Sequence, residues 1–556
     1  MWSGWRGDRG LRWRTIAVAV GTVAVVGSLS SCSKPSVERG GRPAPASSTV
    51  TVELGLRRDD RGLADAVRKS SDPASPRYRR FLTATQIADR YGASERDRRH
   101  VLRVLHAAGI ENAVVSADGG TVTAVLHPDE VEQVLGARVE VQRASDRSTV
   151  ADVTRPLDVP ASLRGPVTEV AGGRSTIRAV PATDVSGGPV TPSCGDGSTL
   201  GVGAPSPLGS WYGFDDDLYR DGRRGRGQRL AVLAVGGWEP ASLAAFADCY
   251  GTSSASVTRH RAPGTVQGPA RPETTLDVIV ASSFAPEAEI DVLQYDRQGT
   301  IATGLVAAVD RSAPRPYAAL STSIGYCERE LGRDEVAIAE RALLALAAMG
   351  TTVVASSGDT GSAACSPDAV AAVQYPASSP WATGVGGTSP RTGATDAIVS
   401  EVVWRTDVDG TVAASGGGSS DRFTRPWFQE GLHPAGSRRD QRLVPDVAFA
   451  ADPTLVPPIP LCTEEDACTW HRLAGTSAPA PALAAAIAGT STRLGLLAPL
   501  VRRLAATSRG VHDVTEGSNR VLGLTCCDAA PGFDLASGWG SFRLPDLVAL
   551  ATRPRH

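Results

Sequence analysis

Four buried-strand signals constrain this chain more than any other feature: the continuous apolar run Leu230 to Val235, then Ile290 to Tyr295, Ala318 to Ile324 and Thr351 to Ser356. Strands that are apolar on both faces predict a sheet covered on both sides. Helix signals fall between them, at Ser242 to Tyr250 and in the Ala/Leu-rich Asp334 to Met349 stopped by Gly350. Such alternation predicts an α/β domain built on a doubly wound, mostly parallel sheet. In sheets of this kind, sites lie beyond the carboxyl ends of the strands.

Three sequence features fall where that rule points. The first is Ala474-Gly475-Thr476-Ser477-Ala478-Pro479-Ala480-Pro481, followed by a small-residue apolar run. Pro479 and Pro481 fit only a first helical turn, so Ser477 sits at a helix N-terminus, where backbone N–H groups favour developing negative charge. A plain N-cap serine fits the octapeptide as well. The second is Pro272-Glu273-Thr274-Thr275-Leu276-Asp277. Spacing of i, i+4 stacks Glu273 and Asp277 on one helix face, either as interacting acids or as two solvated surface charges. The third is Val353-Val354-Ala355-Ser356-Ser357-Gly358-Asp359, which puts Asp359 on a loop after a buried strand, where a turn aspartate is also common.

The N-terminal part reads differently. Arg6, Arg9, Arg12 and Arg14 precede the apolar run Ile16 to Gly27 and then Leu29-Ser30-Ser31-Cys32. That run is short for a membrane-spanning helix and suits a signal peptide over 1–32, so the mature chain is expected to be exported. Residues 33–48 are Pro, Ser, Gly and Arg with little to bury, which predicts a disordered tether. Residues 49–144 alternate strand and helix signals: a period-two strand at Val50 to Leu54, a capping box at Thr83 to Gln86, a helix over Ser94 to Ala108, a strand at Thr121 to Leu126, and a helix from Pro128 to Leu135. They predict a small ferredoxin-like α+β domain. Residues 145–200, rich in Pro, Gly, Thr and Ser, read as a linker carrying a maturation site, ahead of the domain at 201–556.

A formal net charge of -2 gives no electrostatic case for nucleic acid. Leaving out Cys32, eight cysteines remain, an even number that suits disulfides in an exported protein. Cys462 and Cys468 flank an acidic loop and are the easiest pair, whereas adjacent Cys526 and Cys527 are each expected to pair elsewhere.

These segments resemble the sedolisin (serine-carboxyl) peptidases. Ser71-Asp72-Pro73-Ala74-Ser75-Pro76-Arg77-Tyr78 with Phe81-Leu82-Thr83 is similar to that family's activation prodomain. Tyr375-Pro376-Ala377-Ser378-Ser379-Pro380-Trp381, Gly386-Gly387-Thr388, Glu401 with Trp404, Gly416-Gly417-Gly418-Ser419, Pro426-Trp427-Phe428-Gln429 and Arg442-Leu443-Val444-Pro445-Asp446 follow in family order. The resemblance implies a subtilisin-like peptidase domain with Ser477 as nucleophile, Glu273 as general base, Asp277 as its partner and Asp359 as oxyanion-hole acid. It also implies a calcium site on the Asp513 and Asp534 side chains and the Val514, Ala530 and Gly532 carbonyls, with Ala530 in place of the family's first glycine. Leu29-Ser30-Ser31-Cys32 resembles the bacterial lipobox, which implies a membrane anchor through Cys32.

A carboxylate base works near its own pKa, about 4.3 for Glu, and Asp359 donates to an oxyanion only when protonated. The expectation is therefore an acid-acting endopeptidase on protein or peptide substrates, made as a zymogen whose prodomain inhibits it until acid loosens carboxylate contacts. The alternatives are a tripeptidyl-peptidase, a catalytically silent surface lipoprotein that binds through the same fold, and an ordinary subtilisin-like enzyme. The last needs a histidine base, and none of the eight histidines stands in a His-Gly-Thr setting.

Overall fold

The structure, a computed structural model, describes residues 42–143, 149–153, 157–173, 183–184, 189–194, 211–214, 224–265, 268–295, 299–365, 370–394, 398–408, 411–453, 457–463, 467–507 and 510–552. The signal peptide with Cys32, most of the tether and most of the region expected to hold the maturation site lie outside them.

The N-terminal domain runs β1 (Val50–Leu56), α1 (Asp60–Ser71), α2 (Ala84–Arg90), α3 (Glu95–Ala107), β2 (Val114–Val115), β3 (Thr121–Leu126), α4 (Pro128–Leu135) and β4 (Val167–Gly172). Its four strands pair antiparallel in the order β2-β3-β1-β4, the expected ferredoxin-like layer. Thr83 and Gln86 close the capping box of α2 reciprocally, and Pro128 opens α4. Period-two alternation along β1 decides which side chains face where. Val50, Val52, Leu54 and Leu56 join this domain's own core with Val101, Leu105 and Val122. Thr51, Glu53 and Gly55 face the second domain.

The stretch expected as a linker differs from that reading. Thr149–Val153 pairs with Val139–Arg143, and β4 pairs with β1, so both belong to the first domain. Arg42–Pro43, expected in the tether, pairs with Val141 and Glu140. These strands are short and sit among Pro and Gly, and only pairing with distant partners gives them a place.

The second domain is an eight-stranded sheet. In chain order it runs β5 (Arg229–Val235), α5 (Pro240–Tyr250), β6 (Ser256–Arg261), α6 (Pro272–Phe284), β7 (Glu289–Tyr295), α7 (Ile301–Ser312), β8 (Ala319–Thr322), α8 (Arg333–Ala348), β9 (Thr352–Ser356), β10 (Thr383–Thr392), β11 (Ile398–Val403) and β12 (Val447–Ala450), then helices α9 (Pro479–Gly489), α10 (Ala498–Ala505) and α11 (Leu544–Thr552). Strand order is β6-β7-β5-β8-β9-β10-β11, with β12 also on β10 and only β10–β11 antiparallel. One apolar core, under α5, α6 and α9, covers one face. The other face is covered by α7 and α8, and Leu63, Val67, Ala84 and Ile87 of the first domain join that same cluster. The fold is thus the doubly wound α/β layer that the apolar strands predicted.

Disulfides join Cys194–Cys249, Cys327–Cys365 and Cys462–Cys468. Cys526 and Cys527, expected to pair elsewhere, are bonded to each other. They lie in the turn that folds Cys527 back on Asn519, which leaves each cysteine nearest its neighbour.

Candidate active site

Helix α6 follows β6 and starts beside the carboxyl end of β5, where Arg271 N donates to Gly237 O at 2.9 Å, with Pro272 at its first position. Every residue from Glu273 to Ser283 is buried, which rules out a solvated surface helix for the two acids. Glu273 is 7% exposed and Asp277 not at all. Burial pushes the Asp277 carboxyl well above the usual range, the Glu273 charge one turn away adds to the rise, and a hydrogen bond from Ser323 partly offsets it. Two carboxyls so placed titrate as a pair.

Helix α9 is buried along its whole length, and Ser477 lies in the turn directly before it, one residue ahead of the N-cap Ala478. Ser323, just past the carboxyl end of β8, ties the two helices together. Its hydroxyl donates to Asp277 Oδ1 at 2.6 Å and lies 3.3 Å from the Ser477 carbonyl oxygen. Neither serine spacing nor periodicity marks Ser323. The only sequence signal is a hydroxyl at the end of a buried parallel strand.

Asp359 follows the carboxyl end of β9, the strand beside β8. Its Oδ1 accepts from Thr476 N (2.8 Å) and Thr476 Oγ1 (2.9 Å), and Thr476 Oγ1 accepts from Gly358 N (3.0 Å). The carboxylate is thereby held against the residue that precedes Ser477. Gly475 is needed here. It has φ of 112°, and a Cβ at that position would come within 2.0 Å of Asp359 Oδ2. Gly475 and Thr476 are thus positioning residues for Asp359, roles the octapeptide alone does not reveal. The structure brings Ser477, Asp277 and Asp359 into one hydrogen-bonded neighbourhood, with Glu273 a helical turn from Asp277.

Three of the described histidines are engaged away from these residues. His260 pairs with Asp291 at 3.1 Å, His471 meets Thr469, and His512 lies beside Ser541 and the Trp211 ring.

The calcium candidates come together in part. Gly532 N donates to Asp513 Oδ2 at 2.8 Å, so Asp513 holds the loop that carries Ala530 and Gly532. Asp534 accepts from Ala530 N, Ala536 N and Ser537 N. Burial pushes its carboxyl up to about 6 despite those bonds. Among the described residues no three His, Cys, Asp or Glu side chains group as a metal centre. Two carboxylates backed by loop carbonyls are nonetheless an oxygen-only donor set of the kind a hard cation takes, and a cation would relieve the buried charge of Asp534.

Residues 38–176 match the family described as "Pro-kumamolisin, activation domain". The chain is 30% identical over 518 residues to kumamolisin of Bacillus sp. (strain MN-32), which covers 89% of each chain. Sedolisin of Pseudomonas sp. (strain 101) is 25% identical over 537 residues, 90% of this chain and 86% of that one. Tripeptidyl-peptidase 1 of Bos taurus is 26% identical over 544 residues, 91% and 92% of the two chains. Among solved structures, Pseudomonas sedolisin (serine-carboxyl proteinase) complexed with two molecules of pseudo-iodotyrostatin aligns over 59% of this chain and 92% of that chain, with a TM-score of 0.51 at 25% identity.

Proposed function

Because the chain belongs to the sedolisin family of serine-carboxyl peptidases and is made as a zymogen, we propose that it is an acid-acting endopeptidase working through Ser477, Glu273, Asp277 and Asp359. In this reading Glu273 takes the proton from Ser477 Oγ as it attacks the scissile carbonyl, and returns it to the leaving amine. Asp277, whose carboxyl favours the protonated state, shares that proton load across one helical turn. Protonated Asp359, fixed by Thr476, donates to the oxyanion. The observation that supports it most is the Ser323 hydroxyl, which meets Asp277 Oδ1 and the Ser477 carbonyl oxygen together.

Calcium belongs to the same proposal. Asp513, Asp534 and the carbonyls of Val514, Ala530 and Gly532 would hold it, and it would neutralise the two carboxylates and fasten the loop. Export and an anchor at Cys32 are also proposed. No helix among the described residues is long and apolar enough to cross a membrane.

The test is mass spectrometry of an unfolded protein substrate after incubation at acid pH. Internal cleavages by the wild type, lost with Ser477→Ala, support the endopeptidase. Release of successive tripeptides from the substrate's N-terminus favours the tripeptidyl alternative, an activity named for the bovine relative. Undiminished cleavage by Ser477→Ala would remove the nucleophile assignment.

A further inference from the structure

At the opposite end of the strands from the catalytic loops, by the amino end of β5, lies a cleft of ≈ 490 Å³ between the prodomain and the catalytic domain. Prodomain residues Arg79 and Phe81 form one wall, and Gln228, Arg229, Arg315 and Arg493 of the catalytic domain are among those that form the other. The lining holds four arginines and no acid.

Two of those arginines are already balanced. Arg229 meets Asp291 at 2.5 Å, and Arg315 meets Glu289. Arg79 and Arg493 have no carboxylate partner among the described residues. Their hydrogen bonds go to backbone carbonyls: Arg79 to Arg493 O (3.2 Å) and Ala551 O (3.4 Å), Arg493 to Met349 O (3.1 Å). These contacts orient both guanidinium groups without neutralising either, and each group keeps donors to spare. The Arg493 guanidinium also sits 5.5 Å from the centre of the Phe81 ring, a cation–π contact that fixes it further. Phe81 is itself seated where side chains are missing: a Cβ on Gly350 or Gly495 would come within 2.5 or 2.6 Å of its ring.

We propose that this cleft is a binding site for a phosphate-type dianion, assembled only while the prodomain is docked. The charge excess is two, and forked, pre-oriented guanidinium groups match the geometry of a tetrahedral oxyanion. Arg79 belongs to the prodomain, so the anion would stabilise the zymogen over the separated parts and delay activation by mass action. That consequence rests on the zymogen reading above. Binding itself does not.

Calorimetric titration of inorganic phosphate into the full chain carrying Ser477→Ala, which stays uncleaved, tests the site at fixed ionic strength with chloride as control. Saturable binding is expected, about tenfold or more weaker in Arg493→Gln and Arg79→Gln, as befits loss of one charge-assisted pair. Arg315→Gln, on an exposed side chain, keeps the test informative if Arg79→Gln folds poorly, and a smaller loss is expected because Glu289 already pairs with that arginine. No saturable binding, or binding indifferent to Arg493→Gln, overturns the site. Phosphate that binds as expected but leaves wild-type autoprocessing unslowed overturns only the link to activation.

Discussion

Glu53 offers a prediction whose sign is opposite to the usual behaviour of an interface carboxylate. It projects from β1 toward the catalytic domain, fully buried, where Thr303 Oγ1 of α7 donates to its Oε1 and buried Glu335 of α8 lies near. Burial, reinforced by the Glu335 charge and opposed by the Thr303 bond, pushes its carboxyl from 4.5 up to about 8. The docked form therefore binds a proton that the exposed form releases between those values. Stability from this group is complete below about 4.5 and is lost as pH rises through about 8. A shift of roughly 3.5 units at about 1.4 kcal/mol per unit gives a limiting loss of about 5 kcal/mol, of which about 3 kcal/mol is gone by pH 7. Asp310, pushed up to about 6 chiefly by burial while it accepts from the prodomain's Ala117 N, acts in the same direction. Arg341 of the catalytic domain also pairs with prodomain Asp60 (3.1 Å) and Glu169 (2.9 Å). Through Glu53 and Asp310, acid thus firms these prodomain contacts.

The assay is denaturant unfolding of the uncleaved Ser477→Ala chain with and without Glu53→Gln, from pH 4 to 9. The amide that this substitution introduces can still accept from Thr303 and never ionises. The two proteins should match within about 1 kcal/mol at pH 4, and the glutamine variant should be more stable by several kcal/mol at pH 9. A difference that stays constant across the range would refute the buried, protonated state of Glu53.

Three further outcomes follow from the site. Gly475→Ala should fold yet lose about a hundredfold or more in kcat, because its Cβ displaces the Asp359 carboxylate; unchanged kcat would exclude Asp359 from the reaction. Asp359→Asn should retain activity at pH values where the wild type fades, since an amide donates regardless of pH; an unmoved alkaline limb in the pH–rate profile would contradict that role. Removing calcium with a chelator should lower stability, by about 2.7 kcal/mol if the ion is normally a hundredfold above its Kd, and Asp534→Asn should abolish the difference between chelated and calcium-loaded melting temperatures.

Local chemistry made much of the fold legible. The strand Thr121 to Leu126 and the helix Pro128 to Leu135 carry their own periodicity and caps, and both fall where the sequence placed them. The strands between Thr149 and Gly172 were not legible, because their stability comes from β1 and from Val139–Arg143, far away in sequence or across a turn. At the site, the i, i+4 spacing of Glu273 and Asp277 was readable, but whether that face is wet or dry depends on the packing of α9 over α6. Ser323 and Thr476 carry no motif of their own, and only the meeting of two strand ends with one helix start gives them a role.

The most direct test of the account is the pH–rate profile of peptide hydrolysis for the processed wild type and for Glu273→Gln. A carboxylate base predicts a wild-type optimum at acid pH and a loss of about a hundredfold or more in the variant. Activity peaking near neutral pH and surviving Glu273→Gln would mean that a different base serves Ser477, and the proposed mechanism would fail.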